Sequence, residues 1–152
     1  MIQTQTMEAQ LNITISVVVN SWHATLKMIN GILDHIPDND LLNEVSPGRN
    51  TGIYLLGHLV SVHDRMLPLL GIGPKRYPHL DDIFLTSPDK SGKEMPPIAH
   101  LRAKWDEVNG ALNAAFAAWA PADWLSRHTS VSEADFATQP HRNKLAVLAS
   151  RT

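Results

Sequence analysis

The sequence predicts an all-α protein, an antiparallel four-helix bundle with a long crossover between helices two and three and a short last helix. Three observations carry that prediction. Apolar residues recur at three- and four-residue steps through three long segments. A stretch holding Pro74, Pro78, Pro88 and Pro96 separates the second segment from the third. About 13 residues from Pro140 to Thr152 are left for a fourth helix, which at 1.5 Å per residue is about 20 Å.

In the first segment Leu11, Ile15, Val18, Trp22, Leu26, Ile29 and Leu33 make one continuous helical stripe. Ile13, Ile15, Val17 and Val19 also alternate as a strand would, but the alternation ends at Val19 while the helical spacing continues. A helix over about residues 6–35 is therefore expected, stopped by Pro37 and the polar run Asp38-Asn39-Asp40. Asn50-Thr51 can cap the second helix, which runs to Leu70 before Gly71. Its two adjacent stripes, Ile53, Leu56, Val60, His63, Leu67 and Leu70 beside Leu55, Leu59, Val62 and Met66, require half of it to be buried. Ile83-Phe84-Leu85 gives the crossover an apolar patch, and a loop of this length is expected to dock through it. Pro97 suits a first helical turn, and Ile98, Leu101, Trp105, Val108, Leu112, Phe116 and Trp119 continue the third helix until Pro121. Ser132 and Asp135 have the spacing of a capping box, and the last helix is expected to begin near Pro140 and to turn Leu145 and Leu148 inward.

The short fourth helix has an energetic consequence. Helices one and three would span about 35–45 Å, so part of their groove lacks a partner. Four large side chains left uncovered forfeit about 6–12 kcal/mol of burial, comparable to the stability of a whole domain. A second copy of the chain is expected to cover them, making a homodimer.

Composition narrows the function classes. With 152 residues and 43% hydrophobic content, residues 1–152 read as one domain with one sizeable core. Lys plus Arg number 13 against 15 Asp plus Glu, so neither nucleic acid nor an anionic membrane is an expected partner. There is no cysteine, no basic segment before an apolar run at the N-terminus and no apolar run of about 20 residues, so a cytoplasmic location is expected. The eight histidines would reverse the formal charge of −2 in acid.

Familiar catalytic signatures are absent. Ser91-Gly92-Lys93 is only a fragment of a phosphate-binding loop, and Gly71-Ile72-Gly73 does not make a dinucleotide fingerprint. Neither a Gly-x-Ser-x-Gly elbow nor a His-Glu-x-x-His helix occurs. The histidines remain. His58 and His63 lie five residues apart, about 140° around a helix, so they cannot share a metal ion. His63, within the apolar stripe, reads as a hydrogen-bonded core residue. His58, at the border of the apolar face with Tyr54 and Val62 one turn away, reads either as a border residue or as a functional one. Trp22, Trp105 and Trp119 read first as core and second as pocket lining, and His128 reads as a solvated loop residue.

The run Asn50-Thr51-Gly52-Ile53-Tyr54-Leu55-Leu56-Gly57-His58-Leu59-Val60, the Pro-rich crossover, and Phe136 followed by Pro140-His141-Arg142-Asn143-Lys144-Leu145 together resemble the DinB/YfiT-like superfamily. The resemblance covers nearly the whole chain. It implies a four-helix bundle that holds a divalent metal, zinc or nickel, through three histidines, and an activity like that of metal-dependent thiol transferases acting with a small thiol and a small-molecule electrophile. His58 matches the metal ligand on helix two, and Trp22, Tyr54 and Trp105 would line the substrate end. The remaining ligands implied are a His-x-x-x-His pair a little beyond Leu148, where this chain ends at Thr152. An incomplete metal site is therefore expected in this form, with His128 or His141 of a partner copy as possible further donors. The alternative is a non-catalytic helical protein that binds an apolar small molecule or serves to dimerise.

Overall fold

The structure is a computed structural model that describes residues 2–152, with side chains described from Gln5 onward. It is all-α. The elements are α1 (Ile2–His35), α2 (Asp38–Leu41), α3 (Gly52–Leu69), a 3₁₀ turn (Pro78–Leu80), α4 (Asp81–Phe84), α5 (Ile98–Ala118), α6 (Pro121–Trp124), α7 (Glu133–Thr138) and α8 (Lys144–Ala149). No strand occurs among the described residues, and the only β-type pairings there are the isolated bridges Glu44–Thr51 and Arg127–Asn143. No described helix is long and apolar enough to cross a membrane.

The three long helices fall where the spacing of apolar residues places them. The last helix does not. It starts at Lys144 rather than near Pro140, because the Asn143 side chain accepts the Ala146 N–H at 2.9 Å and so caps the helix there. Leu145 and Leu148 are buried, as the spacing requires. Ser132 accepts the Asp135 N–H at 3.1 Å, and this cap opens a helix of its own, α7, ahead of α8.

Two compact units are resolved within the chain. The first comprises the segment ending at Ile32, Leu69–Gly71 and Ala115–Thr152. Its centre is aromatic: the Phe116 ring meets Trp22 edge-on at 5.9 Å and Trp124 at 5.1 Å, and Trp119 meets Trp124 at 4.8 Å. Trp22 and Trp124 are fully buried. Such pairs add about 0.5–1.5 kcal/mol each beyond the area they remove from water. Asp123 holds the start of α6 by accepting the Ala120 N–H at 2.8 Å, which swings Trp124 into this cluster.

The second unit comprises Leu33–Pro68 and Ile72–Ala114. Its buried residues include Leu56, Val60 and Leu67 from α3, Leu80 and Phe84 from the crossover, and Leu101, Trp105, Val108 and Leu112 from α5. Arg102 binds the end of α1. Its guanidinium donates to the Leu33 and Ile36 carbonyls, each at 2.8 Å, and to the Asp38 carboxylate at 2.8 Å. A cation on the last carbonyls of a helix satisfies acceptors that have no partner within the helix and opposes its dipole.

Candidate functional site

The first turns of α3 carry the residues that hold the crossover. Thr51 accepts the Tyr54 N–H at 3.4 Å, while its own N–H donates to the Asp89 carboxylate at 2.6 Å. The Tyr54 hydroxyl donates to the Ser87 carbonyl at 2.8 Å, and His58 Nδ1 lies 2.8 Å from the Phe84 carbonyl oxygen. Three residues about one helical turn apart thus bind residues 84–89 in reverse order. Gly57 makes the closeness possible. A Cβ at this position would lie 2.3 Å from Phe84 Cε1 and Cζ, so only glycine lets the buried Phe84 ring rest on the helix.

This geometry fixes the chemistry of His58. A carbonyl oxygen can only accept a hydrogen bond, so Nδ1 carries the proton, and in the neutral ring the lone pair sits on Nε2. A backbone acceptor on one ring nitrogen is the usual device for presenting the other nitrogen to a metal or a proton. The Tyr54 ring stacks beside His58, 6.4 Å away with 20° between the planes. Tyr54 therefore flanks this imidazole.

The other candidate residues occupy different surroundings. His63 is buried, with Nδ1 2.7 Å from Asn109 Oδ1, and the Asn109 amide donates to the Trp105 carbonyl at 2.9 Å. The His63 ring packs on Trp105 at 4.7 Å. His58 and His63 thus go to separate partners, and Trp105 belongs with His63. Trp22 lies in the aromatic centre of the first unit. Sequence reasoning passes over Asp64, which is wholly buried and whose two carboxylate oxygens each accept a backbone N–H, from Arg76 and Tyr77, at 2.8 Å. A lone acid on the buried side of an apolar helix was the available signal.

Residues 21–149 match the family model described as the DinB superfamily. The chain belongs to the DinB superfamily. No curated protein matches it.

The donors that a DinB metal centre would use can be tested against this chain. Among the described residues no three His, Asp or Glu side chains lie where they could hold one metal ion together. The described donor set therefore does not fit a three-ligand centre.

His128 differs from its expected solvation. It is half-buried, and its Nδ1 lies 2.9 Å from the Ser130 hydroxyl. Burial first, then the positive charges of Arg142 and Arg127, hold its pKa below the ordinary 6.5. The unfolded chain therefore binds this proton more readily than the folded one. The stability His128 contributes is complete above about pH 6.5 and is lost as the pH falls through the folded value. Nuclear magnetic resonance titration of the DinB protein should give His128 a midpoint below 6.5, and Arg142→Gln should move that midpoint upward. A midpoint at or above 6.5 would contradict control by burial and by the two arginines.

Proposed function

We propose that this DinB chain folds as a single four-helix-bundle domain and that its functional end is the first half of α3, where His58 Nε2 acts as an electron-pair donor to a divalent metal ion. The observation that carries the reading is the hydrogen bond from His58 Nδ1 to the Phe84 carbonyl, which orients the ring and fixes the tautomer. Family membership and the Gly57-His58-Leu59 run support the same place. A divalent ion held in part by His58 is the cofactor expected of a metal-dependent thiol transferase. One imidazole does not complete such a centre. What His58 does by itself is offer a fixed lone pair beside Tyr54.

A second reading is favoured by a specific observation: Thr51, Tyr54 and Asp64 also bind the crossover, so His58 is one of four anchors at α3. His58→Asn separates the two readings. The asparagine amide can replace Nδ1 as the donor to Phe84 and has nothing in place of Nε2. As a ligand position, His58 should show the Nδ1-protonated tautomer in nitrogen-resolved spectra. Its Nε2 signal should shift at lower zinc concentration than that of an exposed histidine such as His141. H58N should abolish that response while leaving stability within about 0.5 kcal/mol, and His58→Ala should cost about 1–2 kcal/mol. A zinc titration that leaves His58 unmoved would reduce it to an anchor.

A further inference from the structure

α1 carries a second apolar face, opposite the one that enters the core. Ile13, Val17, Met28 and Ile32 are 53–64% exposed, and with the exposed small residues Ser21 and Ala24 they follow steps of four, four, three, four and four. At about 100° per residue these six positions fall within about 100° of arc, and the buried Ile15, Trp22 and Leu26 lie on the other side of the helix. No Asp, Glu, Lys or Arg falls on this arc between residues 10 and 32.

The order of steps reads the same from either end. An axis placed between Trp22 and His23 relates Ile13 to Ile32, Val17 to Met28 and Ser21 to Ala24. Large side chains thus stand at both ends of the stripe and small ones at its centre, which lets two helix backbones cross closely and interlock on either side. A two-fold interface requires the same self-complementarity: if i meets j, then j meets i. A lipid-facing helix would instead flank its apolar stripe with basic residues, and Lys27 is the only lysine or arginine in α1. The four large side chains offer on the order of 500 Å² per copy, so two copies bury about the 1,000 Å² that a specific interface needs.

We infer that α1 is the self-association surface of this protein, and that two copies pair through it antiparallel, with Ile13 of one copy against Ile32 of the other. Sedimentation of the full chain at micromolar concentration should give a dimer. Val17→Glu should weaken it at least about tenfold while the helical circular dichroism stays unchanged, because Val17 is exposed. The chain has no cysteine, so engineered thiols report the geometry directly. Oxidising a mixture of Ile13→Cys and Ile32→Cys chains should cross-link them. Neither variant should cross-link alone, since residues 13 and 32 are about 28 Å apart along the helix and each faces its opposite number in the pair. A monomeric wild-type chain, a dimer insensitive to V17E, or cross-linking of either variant alone would overturn the inference. So would a monomer that floats with phosphatidylglycerol vesicles, which would give the face to lipid instead.

Discussion

Gly57→Ala should destabilise the protein by about 3 kcal/mol, the upper part of the range for overpacking, and should release His58 from its fixed tautomer. The added methyl would lie 2.3 Å from two Phe84 ring atoms and 2.5 Å from a third, well inside any real contact. The ring cannot give locally, because Phe84 is fully buried and packs on Tyr54 at 5.8 Å. The residue must therefore move as a whole, and its carbonyl is the acceptor for His58. Gly110→Ala is the matched control: a Cβ there meets nothing within 4 Å inside α5, so alanine should stabilise by about 1 kcal/mol. Urea unfolding of the two variants should move in opposite directions. The nitrogen spectrum of His58 should change in G57A alone. If G57A matched the wild type in stability, the Gly57–Phe84 contact would not be the reason for glycine beside His58.

The long helices were legible because burying one face writes a three- and four-residue rhythm into the chain, and Ile98 through Phe116 keep it without a break. Asn143 was harder to read. Pro140 competes with it as a helix start, and only the side-chain bond to Ala146 decides between them. His58 stood out in the sequence through its Gly57-His58-Leu59 run, and its surroundings did not. Its acceptor lies 26 residues away, that of Tyr54 33 away and the partner of Thr51 38 away. No local pattern encodes such pairs. The glycine in Gly57-His58 was visible as a motif, but its cause, a phenylalanine ring from the crossover, was not. The exposed stripe on α1 was visible in part: Ile13 and Val17 register first as an apparent strand alternation, and only the helical frame shows them facing away from Trp22.

Asp64→Ala should be at least as damaging as the glycine substitution, for an electrostatic reason. Asp64 is wholly buried, and its carboxylate accepts the N–H groups of Arg76 and Tyr77, both at 2.8 Å. Hydrogen bonds to a charged group contribute about 1.5–3 kcal/mol each, so losing both costs about 3–6 kcal/mol, a large fraction of a domain's total stability. Asp64→Asn keeps one acceptor oxygen and turns the other position into a donor that faces an N–H. It should lose about half as much or somewhat more. Local unfolding locates the effect, since the two amides sit where the crossover leaves α3. Hydrogen exchange at Arg76 and Tyr77 should accelerate by about a hundredfold or more in the alanine variant, while amides in the middle of α5 follow only the global loss. Lys75 and Arg65 pair with Asp81 a few residues further on, and these contacts leave the Arg76 and Tyr77 N–H groups without an acceptor, so they cannot substitute for the buried carboxylate. A loss below about 1 kcal/mol, or unchanged exchange at residues 76 and 77, would show that the crossover is held by Thr51, Tyr54 and His58 without Asp64.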